Sequence, residues 1–201
     1  VISGGQQALD FTAKCLLNDG DTVLTEAPTF LNALNTFRTY GARIVGVPMD
    51  GEGMDMDALE QALRLEKSVK FIYTIPNFQN PMGVTLSAAR RRRMYDLAEQ
   101  YDVMILEDDP YGRLRYSGTP VDAIKTLDRS ERVIYTGSFS KIIAPGIRVA
   151  YLCAPKELMA KMVVAKQCVD VHTNMLSQVL VYEYLTRYDL DAHIRQCCDH
   201  Y

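Results

Sequence analysis

Gly137-Ser138-Phe139-Ser140-Lys141 stands directly after the run Arg132-Val133-Ile134-Tyr135-Thr136, and Pro145-Gly146 and Arg148 follow closely. The run reads as a buried strand, so the hydroxyls, the lysine and the arginine should emerge where that strand ends. A lysine placed there, ahead of a Gly/Pro turn and an arginine, suggests a buried amine held beside an anion site. Buried lysines lose their charge readily and then act as nucleophiles toward carbonyls. Taken alone, the same lysine reads as a loop residue on a solvated rim. Ser138 to Lys141 also spells SxxK, a nucleophile motif that needs SxN and KTG partners. Lys125-Thr126-Leu127 is the nearest approach to the latter and lacks the glycine, so that reading fails.

Outward from this stretch, apolar runs alternate with amphipathic ones. Val103 to Leu106 predicts a buried strand delivering Glu107-Asp108-Asp109-Pro110-Tyr111, and Val69 to Ile75 another, closed by Pro76-Asn77-Phe78-Gln79-Asn80-Pro81-Met82-Gly83. Thr22 to Glu26, Arg43 to Val47 and Arg148 to Ala154 read as further strands, and Val1-Ile2 as the end of one. Helices are predicted over Ala8–Leu17, from Phe30 to about Tyr40, and over Met56–Leu65, Ser87–Tyr101, Pro155–Asp170 and Met175–Tyr188. The final stretch, Asp191 to Tyr201, has a helical pattern with no stop signal. The Arg90–Arg93 run fans around its helix and is expected to form a solvated face.

Nearly continuous apolar strands alternating with helices predict an α/β fold. It should be a three-layer α/β/α arrangement around a mostly parallel sheet. Ligands of such sheets bind beyond the carboxyl ends of the strands. Gly4-Gly5, Phe30, Asn80, Asp108 and Lys141 all fall at those ends. Ser3-Gly4-Gly5 leading into a helix adds a ready anion site, because first-turn N–H groups lack intrahelical partners. The apolar strand before Glu107 also resembles the magnesium-binding strand of an ATPase, but no matching phosphate loop accompanies it.

With 48% hydrophobic and 23% charged residues in 201, the composition suits one soluble globular domain. A net charge of -3 gives no electrostatic reason to expect nucleic acid. No apolar run is long enough to cross a bilayer. Five cysteines without CxxC spacing support neither a metal site nor a disulfide framework, and suggest a cytoplasmic setting.

SGGQQAL, EAPTF, YTIPNFQNPMG, LEDDPYG and GSFSKIIAPGIR, in that order and spacing, resemble the large domain of class I aminotransferases. These are fold type I enzymes that use pyridoxal 5'-phosphate. The resemblance covers almost the whole chain and lies nearest the branch of 2-aminoadipate, kynurenine and aromatic aminotransferases. It implies that Lys141 is the Schiff-base lysine and later moves the proton at the substrate's alpha carbon. Asp108 would lie against the pyridine nitrogen; it is preferred over Asp109 because Tyr111 follows it by three. Tyr111 and Asn80 would donate to the ring's phenolate oxygen, and Phe30 would stack on the ring. Gly4, Gly5, Gln6, Ser138, Ser140 and Arg148 would form the phosphate cup. A cis Asn80–Pro81 bond is also implied.

The resemblance further implies amino-acid and 2-oxo-acid substrates and a homodimer, with no nucleic acid or membrane partner for this segment. Residues 1–187 would be a large domain truncated at its start, and 188–201 the opening of a helix toward a C-terminal small domain that is absent. His172, His193 and His200 match no catalytic position, and Tyr73 is compatible with either the site or the core. Three functions remain open at this point. They are transamination, another reaction on the same scaffold such as C–S beta-elimination or decarboxylation, and the effector-sensing half of a transcriptional regulator with an upstream helix-turn-helix domain.

Overall fold

Apolar runs too continuous for a one-sided sheet form the centre of a seven-stranded sheet in the computed structural model, which describes residues 1–200. Its strands are β1 (Thr22–Ala27), β2 (Arg43–Asp50), β3 (Gly53–Met54), β4 (Val69–Thr74), β5 (Met104–Asp109), β6 (Val133–Ser138) and β7 (Ala150–Cys153), in the order 3-2-1-4-5-6-7. The five from β2 to β6 run parallel, and β3 and β7 close the edges antiparallel. The helices are α1 (Gly5–Leu16), α2 (Leu31–Thr39), α3 (Met56–Leu65), α4 (Ala88–Gln100), α5 (Lys156–Val169), α6 (Met175–Arg187) and α7 (Leu190–His200). Tyr201, the last residue of the predicted final helix, lies outside the described residues.

Strand alternation sorts the two cores. Val23, Phe71, Tyr73, Leu106 and Ile134 face α1, α2 and α5, where Leu9, Phe11, Phe37 and Leu158 meet them. Their neighbours Leu24, Ile72, Ile105 and Val133 face α3 and α4 through Leu59, Leu63, Met94 and Leu97. The three-layer α/β/α expectation is met. Strand order reverses between β1 and β4, so a crevice opens at their carboxyl ends.

Two boundaries differ from expectation in ways that matter for the site. Helix α1 starts at Gly5, three residues before Ala8, which sets Gly4 at its amino end. Strand β7 starts at Ala150 instead of Arg148, because Arg148 adopts the left-handed region (φ 52°, ψ 41°), which no strand accommodates. Of Val1-Ile2, Ile2 pairs with Ala150, exchanging hydrogen bonds of 2.9 and 3.0 Å.

The solvated face expected for Arg90–Arg93 is contradicted at Arg91, which is 1% exposed. Its guanidinium donates to the carbonyls of Leu86 (2.9 Å), Pro76 (2.9 Å), Asp122 (3.0 Å) and Val121 (3.4 Å) and to Asn77 Oδ1 (2.7 Å). Four consecutive helical residues point to all sides, so one of them faces the sheet. Loops arriving from residues 76–77 and 121–122 supply the acceptors that make its burial tolerable.

The amino end of α1 is tied to α5 by a polar cluster. Lys166 Nζ donates to Gln7 Oε1 (2.9 Å) and to both oxygens of Asp170 (2.7 and 2.8 Å), while Ser3 Oγ donates to Asp170 Oδ2 (2.8 Å). Among the described residues the five cysteines are free of disulfides, and no helix is long and apolar enough to cross a membrane.

Two buried glutamates make stability depend on pH. Burial pushes Glu26 up to about 7, hydrogen bonds from Thr74, Gln79 and Ile75 offsetting part of the rise. Burial pushes Glu107 to about 7 as well, against the N–H groups of Ile124 and Lys125. A carboxyl whose folded pKa exceeds its unfolded one favours the fold while protonated. That contribution is complete below the ordinary glutamate value of 4.5 and is lost as pH rises through about 7. Asp170, held down to about 2 by Lys166, Gln7 and Ser3 despite its burial cost, titrates below this window. The urea midpoint is therefore expected to be lower at pH 8 than at pH 5. Asp108, raised to about 7 by burial, acts in the same direction, so a midpoint that is equal or higher at pH 8 would mean that these buried carboxyls are not held protonated at pH 5.

Candidate active site

A cavity of about 360 Å³ opens at the carboxyl ends of the strands. Gly5, Gln6, Phe30, Asn80, Asp108, Tyr111, Ser138, Ser140, Lys141 and Arg148 all lie on its wall. Gly4 sits just behind it, at the start of α1. Segments far apart in sequence thus bring the predicted site residues together.

One end of the cavity is rich in hydrogen-bond donors. The first-turn N–H groups of Gly5 and Gln6 have no intrahelical acceptor, and no side chain caps α1. Arg148 reaches across to Ser140 Oγ (3.4 Å) and Ser3 O (3.3 Å), while Ser140 N donates to Ser138 Oγ (3.1 Å). Gly4 has φ 88°, and a side-chain carbon there would overlap the Arg148 guanidinium. Only glycine allows that close approach. A non-glycine residue in the left-handed region, as Arg148 is, carries strain that surrounding structure must hold in place.

Asp108 forms the other end. Alternation along β5 separates three consecutive acids. Glu107 and Asp109 face the α4 side, where Glu107 accepts the N–H groups of Ile124 and Lys125, both at 2.8 Å. Asp109 accepts from Asn77 Nδ2 (3.0 Å), Gly112 N (2.9 Å) and Tyr135 Oη (3.1 Å). Asp108 points the opposite way, into the cavity. It takes one hydrogen bond, from Tyr73 Oη to Oδ2 at 3.0 Å. Burial pushes its carboxyl up to about 7, with the Asp109 charge adding to the rise and Tyr73 opposing it. Tyr73, open to either reading in sequence, both packs against Phe37 and supports Asp108.

Asn80 and Tyr111 stand half-buried on the wall. Burial and the Asp108 charge raise the Tyr111 phenol, and the Asn80 amide offsets part of this. The Asn80–Pro81 bond is cis, as expected, and so is Ala27–Pro28. Glu26, to which the sequence reading gave no role, holds the stem of the Asn80 loop. It accepts from Ile75 N (3.2 Å), Thr74 Oγ1 (2.6 Å) and Gln79 Nε2 (2.9 Å). The signal available in sequence was an acid closing an apolar strand.

Lys141 corrects one expectation. It is exposed, not buried, with Nζ 5.9 Å from the centre of the Tyr111 ring. The loop after β6 carries it over the cavity mouth, and nothing in the described residues roofs it.

Comparison with known proteins agrees with this arrangement. The family profile described as Aminotransferase class I and II matches residues 1–192. The chain is 49% identical to aromatic-amino-acid aminotransferase 1 of Thermococcus litoralis, over 99% of this chain and 49% of that protein. It is 42% identical to the 2-aminoadipate transaminase of Thermus thermophilus, over 92% of this chain and 47% of the relative. A kynurenine aminotransferase of Pyrococcus horikoshii, solved in complex with PMP, with KYN as substrates and KYA as products, superposes with a TM-score of 0.95 at 46% identity. That match covers 98% of this chain and 50% of the other. The chain thus spans about half the length of the relatives it matches. A matched family profile over nearly the whole chain, together with the shared fold, makes this chain a member of the class I and II aminotransferase family.

Proposed function

We propose that the cavity binds pyridoxal 5'-phosphate, and that the whole protein moves an amino group between an alpha-amino acid and a 2-oxo acid. The observation that carries this is the pairing of a donor-rich cup with a buried carboxylate across one cavity, with a lysine at its mouth. The donor set fits a phosphate dianion, which a guanidinium and free N–H groups bind well. Asp108, buried with one hydrogen bond, fits a ligand that presents an N–H donor.

When bound, pyridoxal phosphate supplies an electron-accepting ring that takes up negative charge from the substrate's alpha carbon. Gly5, Gln6, Ser138, Ser140 and Arg148 would hold its phosphate, with Gly4 giving Arg148 room. Phe30 would cover a ring face. Asn80 and Tyr111 would donate to a ring oxygen. Asp108 would accept the ring N–H and favour its protonated state by charge. Lys141 Nζ would bind the cofactor and move the proton at the substrate's alpha carbon.

Relatives named as aminotransferases weigh for transamination over elimination, decarboxylation or effector sensing on the same scaffold. We also propose a large-domain boundary near residue 187, where α6 ends. A cytoplasmic setting is supported by the free thiols. A homodimer is supported by the apolar face of α6, on which Leu176, Val179, Leu180 and Tyr182 are exposed.

Borohydride reduction in the presence of pyridoxal phosphate, followed by peptide mapping, is expected to leave the pyridoxyl tag on Lys141. A tag on another lysine, or none while the ligand is bound, would overturn the assignment.

A further inference from the structure

Arg91, Asn77 and Asp109 form one chain of hydrogen bonds behind the cavity wall. Arg91 Nη2 donates to Pro76 O and to Asn77 Oδ1 (2.7 Å), Asn77 Nδ2 donates to Asp109 Oδ1 (3.0 Å), and Asp109 Oδ1 takes Gly112 N (2.9 Å). Tyr135 Oη closes it on Asp109 Oδ2 (3.1 Å). Arg91 and Asn77 are 1% and 4% exposed, so these groups have no water to fall back on. The packing is tight. A side-chain carbon on Gly112 would lie 2.5 and 2.6 Å from the Asp109 oxygens and 2.8 Å from Asn77 Nδ2.

The two segments that this chain joins are those that deliver Asn80 and Tyr111. Asn77 opens the loop that ends in cis Asn80–Pro81, and Gly112 follows Tyr111 directly. None of the three residues lines the cavity itself. We infer that Arg91, Asn77 and Asp109 are positioning residues. They lock the residue 76–83 loop to the residue 109–112 turn, so that Asn80 and Tyr111 meet the bound ligand together. This rests on the reading of the cavity as a pyridoxal phosphate site. It also gives Asp109 a part distinct from that of Asp108. In the clamp Asp109 acts through its acceptor geometry, with three donors satisfied, while its charge acts separately on Asp108.

A double-mutant cycle on pyridoxal phosphate affinity tests this, read by equilibrium dialysis alongside thermal melting. Asp109→Ala and Tyr111→Phe are each expected to weaken binding about ten-fold, the scale of one lost hydrogen bond to a charged or buried partner. The double variant should fall well short of the roughly 100-fold product, because the Tyr111 contact is lost to both changes. Asp109→Asn should restore most of the loss, since its Oδ1 can accept Asn77 and Gly112 while its amide donates to Tyr135. Asp109→Ala combined with Arg148→Gln, at the far end of the cavity, should multiply. If Asp109→Ala does not fold, Asn77→Ala carries the same cycle.

Multiplicative losses for Asp109 and Tyr111 in a protein that binds the ligand overturn the clamp and leave the cavity reading intact. An Asn variant as weak as the Ala variant would mean that ligand affinity depends on the Asp109 charge and not on its acceptor geometry, and overturns the clamp equally. Absence of pyridoxal phosphate binding by the unaltered protein overturns the cavity reading, and the clamp with it.

Discussion

Lys141→Ala is expected to lower transamination by the whole protein about 10⁴-fold or more, the upper range for losing a positioned proton-transfer group that is also the nucleophile. Among the described residues, Lys141 is the one lysine on the cavity wall. The phosphate cup does not depend on it, since Arg148 takes its contacts from Ser140, Pro145 and Ser3. The variant should therefore still take up pyridoxal phosphate, now removable by dialysis and no longer trapped by borohydride. Turnover within ten-fold of the parent would remove Lys141 from the chemistry, whatever its proximity.

Asp108→Asn is expected to cost about 10²- to 10³-fold in turnover, typical of removing one preorganised electrostatic contact to charge that develops during reaction. The amide fits the same space and can keep the Tyr73 hydrogen bond, so binding should change far less than rate. Asp109→Asn, which preserves the clamp geometry, should retain turnover within about ten-fold. Steady-state kinetics on the pair would separate neighbouring acids that occupy opposite faces of β5. Equal losses for the two would mean that the alternation of the strand does not decide their roles.

That alternation explains how far the sequence can be read. The apolar runs at β4, β5 and β6 were legible because a strand buried on both faces needs no partner to reveal itself. Their carboxyl ends located the cavity, so Asn80, Asp108, Tyr111 and Lys141 fell on one wall as expected. What sequence does not carry is the third dimension at each point. Arg91 is one of four consecutive arginines, and only the arrival of carbonyls from residues 76 and 121–122 distinguishes it. Lys141 could be placed at a strand end, but its exposure depends on what lies over the cavity mouth. Tyr73 and Glu26 sit inside apolar runs whose composition says that they are buried and not toward what. Their direction follows from the register of β1, β4 and β5.

The contact between Arg148 and Ser3 spans 145 residues of chain. During synthesis α1 leaves the ribosome with its amino end bare, and Arg148, which completes the cup, follows Ser3 by 145 residues. At roughly 5–20 residues per second the delay between them is about 7 to 30 seconds. For that interval the nascent chain has a helix and no anion site, and the strands of the growing sheet form without the edge that will seat Ile2. The anion cup is thereby completed well after its first element is made. It closes only once Arg148 and β7 have left the ribosome and met the segment from Ile2 to Gly5.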